Sequence, residues 1–510
     1  MSDPGVTTLF LATFLGLLLS FILEGVWLPR SRDCWRRPWI ALAVHGGIWL
    51  IACGPLLLIL GRPWFAMAIL CSFWLLLLLV NQAKTHALRE PFVFQDFDYF
   101  LDAMRHPRLY LPFFGLWQTV GLTILVAGTA LAGWWLEEPL ANRFSWQGEL
   151  TPILLVQGVG HLLVIPAMMK PLRATFDPWK DINRLGFLAS LWCYGWAEWG
   201  KPNLITPFEG FPQPTASTVL PHLVAIQSES FFDPRPMFAG IRTDLLKNFD
   251  RCTATAAAHG PLTVPAWGAN TVRSEFAFLS GIGQGQLGVH RFNPFRVLHN
   301  RQVITLATHL QRLGYRTLCV HPYSSRFYRR DRVYANLGFD QFIDINAFAD
   351  GQKSGPFIGD LAVGEKVGQL LQQAEQPLFL FVITMENHGP LHLEKVGEKE
   401  LAACFHQLPP AGCADLGVYL HHLGQADAML AQVTTVMENL PRPAGLCWFG
   451  DHVPIMPHVY ATLGYPTGES NYLLWRAGGG ENRQRAEPSR VEELAANWLQ
   501  VMGVPGSPSR

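Results

Sequence analysis

Charge is what this 510-residue sequence has least of. Charged residues make up 15% of it, and 39 Lys and Arg balance 39 Asp and Glu, so the formal net charge is zero. Without a basic field, nothing argues for a nucleic-acid partner. The nine cysteines include no CxxC pair and no zinc-finger spacing, which removes the usual redox and structural-zinc motifs. Internal repeats are absent. The first apolar run has no basic flank and no clear small-residue cleavage site, so it reads as a retained anchor rather than a removed signal peptide.

Apolar residues are what the sequence has in excess, at 49%, and they concentrate in the first third. Runs fall at Val6–Leu28, Trp39–Leu60, Trp64–Val80, Phe113–Leu136 and Pro152–Met169. Each has roughly the 17–25 residues that a helix needs to cross a bilayer core. Backbone polar groups in lipid must be paired within the segment, so five transmembrane helices are predicted. Trp39, Trp64, Trp134 and Trp135 near run ends fit an aromatic belt. The shorter stretch Leu185–Trp196 suits an interfacial helix. Arginines and lysines follow runs one, three and five (Arg30, Arg32, Arg36, Arg37; Lys84, Arg89, Arg105, Arg108; Lys170, Arg173, Lys180, Arg184). By the positive-inside rule these groups, and the C-terminal part with them, belong in the cytoplasm. Cys404 and Cys413, close together in a Pro/Gly-containing loop, would as a disulfide suit an oxidising outer compartment instead. Two unrelated thiols fit the spacing equally well.

The expected domains are a transmembrane region over 1–170, a membrane-surface linker over 171–217 and a second domain over 218–505, with Gly503–Arg510 a frayed tail. In the second domain, predicted strands at Leu223–Gln227, Arg316–His321, Leu378–Met385, Gly445–Phe449 and Tyr472–Trp475 alternate with predicted helices at Ile304–Leu313, Ala414–Leu440 and Arg490–Val501. Alternation of this kind means an α/β domain, a mostly parallel sheet covered by helices on both faces. Ligand chemistry in such sheets gathers at the carboxyl ends of the strands.

Four segments place polar groups there. AIQSESFF (Ala225–Phe232) carries a strand into Glu229. WGANTVRSEFAFLSG (Trp267–Gly281) delivers Thr271 at the mouth of a helix. FVITMENHGP (Phe381–Pro390) ends at Asn387 and His388, and WFGDHVP (Trp448–Pro454) at Asp451 and His452. Taken singly, a Glu after a strand is ordinarily a solvated loop residue, and an Asp-His pair can be a helix N-cap and a surface histidine. Together, two carboxylates, one imidazole and one hydroxyl form a ligand set for a divalent ion. A hydroxyl held by such an ion loses its proton more easily and becomes a nucleophile. The helix after Thr271 offers backbone N–H groups to a phosphoryl oxygen. Arg330 can pair a phosphate bidentately; the other reading is a surface arginine in the basic run Arg326, Arg329, Arg330 and Arg332. His388 is placed to protonate a leaving alkoxide or to stabilise phosphoryl oxygens.

These segments resemble the lipoteichoic acid synthases and related phosphoglycerol transferases of the alkaline phosphatase/sulfatase superfamily, over roughly residues 215–505. The five-span region is similar in layout. The resemblance implies an α/β alkaline-phosphatase-like domain. It also implies one divalent metal held by Glu229, Thr271, Asp451 and His452, with manganese the first choice and magnesium or zinc alternatives. Thr271 matches the nucleophile and His388 the substrate-side histidine. His321–Asp331 (HPYSSRFYRRD) matches the head-group stretch, through Tyr328 and Arg330. Tyr328 stands where lipoteichoic acid members carry Trp, a departure that bears on head group and acceptor. The implied activity moves phosphoglycerol from phosphatidylglycerol through a phospho-threonine to a glycan, glycolipid or polymer acceptor. The implied location is a bacterial cytoplasmic membrane, with the catalytic domain periplasmic or extracellular. That location opposes the arginine distribution and is adopted here on the chemistry. Alternatives are a phosphoethanolamine transferase of the same superfamily or an inactive, sensor-like homologue. A sulfatase would need a CxPxR-like motif, which the sequence lacks.

Overall fold

Long apolar runs become helices in the first part of the chain, since only a helix pairs every backbone group within itself. The computed structural model describes residues 4–26, 30–110, 115–140, 146–202, 204–209, 219–298, 302–479 and 486–504. It divides into two compact units, Met1–Lys201 and Pro202–Arg510.

In the first unit, helices Pro4–Val26, Trp39–Leu60, Pro63–Leu88 and Trp146–Met169 contain four spans long and apolar enough to cross a membrane. The fifth expected span is helical over Leu116–Leu136, with Thr123–Leu136 an apolar stretch among the described residues; its residues 113 and 114 lie outside them. The third helix runs past the expected Val80 to Leu88, because Lys84 is neutralised by Glu90 and Asp96, each 2.7 Å away. Charge among these helices is paired, as burial demands. Glu24, 2% exposed, takes Arg37 Nη1 at 3.1 Å and His45 Nδ1 at 3.0 Å. The stretch expected as an interfacial helix is helical over Phe187–Ala197, preceded by a helix over Pro178–Leu185. The end of the expected linker and residues 505–510 lie outside the described residues.

The second unit is built on an eight-stranded sheet. Its strands are β1 (His222–Ser228), β2 (Ala258–Thr263), β3 (Arg316–Val320), β4 (Gln341–Ile343), β7 (Leu378–Ile383), β8 (Ala444–Gly450), β9 (Ser470–Arg476) and β10 (Ser489–Arg490), in the order β10-β2-β9-β8-β1-β7-β3-β4. A separate hairpin joins β5 (Lys353–Ser354) to β6 (Phe357–Ile358). All neighbours pair in parallel except β9, which is antiparallel to β2 and β8. Central strands read as unbroken apolar runs because both faces are covered. Val224, Ile226, Leu380, Val382, Leu446 and Trp448 face one core, with residues of the Asp360–Gln372 and Ala414–Glu438 helices. Leu223, Ala225, Phe379, Phe381, Cys447 and Phe449 face the other, with residues of Thr271–Ser280 and Val491–Val501. Cys404 and Cys413 are buried in the first of these cores as free thiols. They behave there as small apolar side chains, so a disulfide lends no support to an oxidising compartment.

Candidate active site

Parallel pairing sets which loops meet. β8, β1, β7 and β3 are neighbours running the same way, so Asp451, Glu229, the 384–390 loop and His321 emerge on one edge of the sheet. The register Ser228↔Gly450 puts Glu229 level with Asp451. Ser230 N–H then donates to Asp451 Oδ1 at 2.9 Å, and Glu229 N–H to Thr384 Oγ1 at 2.9 Å. Gly450 is required for this approach: a Cβ there would lie 1.9 Å from the Phe231 carbonyl oxygen. β2 runs parallel to β8 across β9 and feeds the 264–270 turn, where Asn270 takes φ +66° and Thr271 opens the fully buried helix Thr271–Ser280. Ser274 Oγ donates to the Asp451 carbonyl at 2.8 Å, tying that helix to the Asp-His loop. Of the six non-glycine residues with left-handed φ among the described residues, four (Ser230, Asn270, Tyr328 and Arg329) border this edge. Such strain is kept only where surrounding structure enforces it, most often at functional sites.

Glu229, Asp451 and His452 are buried, with one ligand atom from each within 4.8 Å of the others. His452 Nδ1 faces the Val453 carbonyl at 3.1 Å. A carbonyl only accepts, so Nδ1 donates to it and Nε2 is the ring nitrogen turned to the carboxylates. Nε2 sits 3.3 Å from Asp451 Oδ2 and 3.7 Å from Glu229 Oε1, and neither Nε2 nor Oδ2 has a hydrogen-bond partner. Two buried carboxylates converging with an imidazole nitrogen are costly without a cation between them. Glu229 registers the cost: burial, and then the charge of Asp451, push its carboxyl up to about 8. The three side chains fit a divalent ion. Thr271 lines the adjoining pocket with Glu229, His321, Tyr328, Arg330, Met385 and His388.

Arg330 is placed differently from the bidentate phosphate clamp expected of it. It is 2% exposed and its forked edge meets the fully buried Glu275, Nη2 against Oε1 and Nε against Oε2 at 3.2 Å. Tyr334 donates to the same carboxylate at 2.6 Å. Only Nη1 is left without a partner. The guanidinium carbon lies 5.1 Å from the centre of the Tyr328 ring, a cation–π distance. Tyr328 and Arg330 thus form one wall of the pocket.

Two histidines complete it. His388 Nδ1 faces the Gly389 carbonyl at 2.7 Å, which leaves the lone pair on Nε2. Burial, and the charge of Arg330, hold its pKa below the usual value, so the ring rests neutral. His321 was missed as a site residue in the sequence, where only its segment stood out. It is buried, its Nδ1 faces the Ile383 carbonyl at 3.2 Å, and its Nε2 has no partner. Burial and Arg330 hold it well below the usual histidine pKa. Its signal was available: β3, like β1, β7 and β8, is an apolar strand that ends on a polar residue. Glu275 was also missed, because TVRSE drew attention only to its threonine.

A family model described as Sulfatase matches residues 221–504, more than half of the chain. The chain is 26% identical over 399 residues to the "Capsular polysaccharide biosynthesis protein RkpI" of Rhizobium meliloti (strain 1021), covering 74% of this chain and 71% of that protein. It is 27% identical over 263 residues to a "Putative cyclic beta-1,2-glucan modification protein" of the same organism, covering 51% of this chain and 40% of that one. The structure of the integral membrane lipooligosaccharide phosphoethanolamine transferase A (EptA) from Neisseria meningitidis superposes with a TM-score of 0.60 at 13% identity, over 96% of this chain and 95% of that one. At that identity the likeness shows the fold alone.

Proposed function

The chain belongs to the sulfatase family, and we propose that within it the protein is a multi-pass membrane transferase moving phosphoglycerol from phosphatidylglycerol to an exported glycan or glycolipid. The observation that carries this reading is the lining of the Thr271 pocket. Among the described residues that line it, Glu229 is the one carboxylate; the rest of its polar wall is Arg330, Tyr328, His321 and His388. Glu275, the nearest acid behind Arg330, is occupied by Arg330 and Tyr334. An ethanolammonium head group would need an anion to face. A neutral glycerol finds what suits hydroxyls: the Arg330 Nη1 donor and the His321 Nε2 acceptor.

Glu229, Thr271, Asp451 and His452 would hold one divalent ion, which supplies charge for the phosphoryl oxygens and lowers the pKa of the threonine hydroxyl. The oxygen-rich set favours manganese or magnesium, with the imidazole keeping zinc in play; manganese remains the first choice. In the first half-reaction Thr271 Oγ forms a bond to phosphorus while the bond to the diacylglycerol oxygen breaks. The threonine proton passes to His388 Nε2 and from there to the departing alkoxide. In the second half an acceptor hydroxyl gives its proton to His388 and displaces Thr271, which recovers it. The relatives named for capsular polysaccharide biosynthesis and glucan modification support a glycan acceptor, and a catalytic domain outside the cytoplasmic membrane follows from such an acceptor.

Mass spectrometry of the full-length protein incubated with phosphatidylglycerol or phosphatidylethanolamine tests the reading. A phosphoglycerol adduct on Thr271, absent from Thr271→Ala, is expected. An adduct formed only from phosphatidylethanolamine, or undiminished diacylglycerol release by Thr271→Ala, overturns it.

A further inference from the structure

We propose that Glu386, buried behind the pocket and held by Ser354, the Asp360 N–H and His422, is a positioning residue that holds His388 in its working orientation. The inference rests on the role given to His388 above.

Glu386 lies two residues before His388 and is 1% exposed, yet it does not line the pocket. Both of its oxygens are engaged. Oε1 accepts from Ser354 Oγ at 2.7 Å and faces His422 Nδ1 at 3.1 Å; Oε2 accepts from the Asp360 N–H at 2.6 Å. One carboxylate therefore joins three separate segments: the β5–β6 hairpin, the first residue of the Asp360–Gln372 helix, and the Ala414–Glu438 helix that carries His422. The hairpin returns the link to His388. Phe357 of β6 packs edge-on against the His388 ring, with centroids 5.7 Å apart and planes at 65°. His388 is thus gripped from its own loop and from Phe357, and both grips stand on Glu386.

The far side of the clamp is an ion triad. His422 Nε2 lies 3.3 Å from Glu394 Oε2, so its ring spans two carboxylates. An imidazole can serve both only with a proton on each nitrogen. Burial alone would discourage that charge, but hydrogen bonds to Glu386 and Glu394 outweigh it and push His422 up to about 9. Glu394 also meets the hairpin turn: a Cβ on Gly355, whose φ is +61°, would fall 2.5 Å from Glu394 Oε2. The proposed reaction uses none of these charges directly, so a buried triad tied to the one loop that carries His388 needs another purpose. Orienting that imidazole is a purpose its connections serve.

The test is a double-mutant cycle on full-length protein in detergent, following diacylglycerol release from phosphatidylglycerol and hydrolysis of bis(4-nitrophenyl) phosphate. Glu386→Ala is expected to lower kcat by about 100-fold, the scale of a misplaced catalytic group, with KM within about twofold and bound metal unchanged. Glu386→Gln, which still accepts from Ser354 and Asp360, should recover about tenfold of that loss. In a His388→Ala background neither change should lower kcat further. If the Glu386 and His388 losses multiply, or if Glu386→Ala matches wild type while His388→Ala does not, the positioning role is wrong and the site reading survives. If His388→Ala itself leaves kcat intact, the reading of the site fails with it. Should Glu386→Ala not fold, Glu386→Gln and Ser354→Ala carry the same cycle, and multiplicative losses there refute the proposal.

Discussion

Replacing Arg330 ought to damage the fold and the donor site separately, and a partner substitution can pull the two apart. Arg330 and Glu275 are 2% and 0% exposed. Arg330→Met leaves Glu275 as a buried carboxylate with only Tyr334 to stabilise it, and breaking such a pair from one side costs about 3–5 kcal/mol. The expected fall in the thermal midpoint is roughly 6–20 °C. Adding Glu275→Gln removes the stranded charge while keeping an acceptor for the Tyr334 hydroxyl, so the double variant should return to within about 2 kcal/mol of wild type. Donor use should not return. Nη1 is lost in both variants, and kcat/KM with phosphatidylglycerol should fall by between about 30-fold and a few thousand-fold in each, the range for a buried charged contact. Metal content should be unchanged, since neither residue belongs to the candidate ligand set. Differential scanning fluorimetry, metal analysis and diacylglycerol release read the three quantities on one preparation. If the double variant is as unstable as the two singles summed, the pair is not what holds Arg330. If the double variant regains donor use, Arg330 acts on the donor only through stability.

Asp451→Asn should lose the metal and nearly all turnover with any donor; metal retained at wild-type stoichiometry would remove Asp451 from the ligand set. Gly450→Ala forces the β8 terminus away from the Phe231 carbonyl, so metal affinity measured by competitive chelation should drop by at least about tenfold, and wild-type affinity would show that the close approach is dispensable. His422 moves from the ordinary 6.5 to about 9 on folding. Its raised pKa contributes stability that is complete below pH 6.5 and is lost as pH rises through 9, on the order of 3 kcal/mol. Thermal midpoints between pH 6 and 10 should show this alkaline loss in wild type and not in His422→Gln; equal slopes in both would exclude His422 as the source. A β-lactamase fused at the C terminus should protect cells from ampicillin if the catalytic domain lies outside the cytoplasmic membrane, and protection only by an N-terminal fusion would reverse that placement.

The parts legible in the sequence were those where one physical requirement dominates. β1, β7 and β8 are buried on both faces and so appear as unbroken apolar runs. Glu229, His388, Asp451 and His452 stand out because each interrupts such a run at its end. β2 escaped notice because AHGPLT carries Gly260 and Pro261, tolerated where the strand pairs antiparallel with β9 near the sheet edge. β4 and β10, three and two residues long, are too short for alternation to register. The Asp360–Gln372 helix lacks a clean apolar stripe because Asp360 and two glycines are buried with the aliphatic residues. Partnerships were the least visible. Nothing at Glu275 points to Arg330, and nothing in TMENHG points to His422, because those contacts are made by the folded sheet and not by neighbours in the chain.

The sheet order also fixes when the site can exist. β1 and β8 lie side by side, but Glu229 is made near the beginning of this domain and Asp451 near its end. A growing or truncated chain that stops before β8 has Thr271, His321 and His388 but lacks two of the candidate metal ligands, Asp451 and His452, and the Asp451 carbonyl that anchors Ser274. Closing a contact of such long range is slow compared with forming local helices. The candidate site is therefore incomplete until late in synthesis: β8 must first pair with β1, and β9, made after it, must then bridge β8 to the β2 that feeds Thr271.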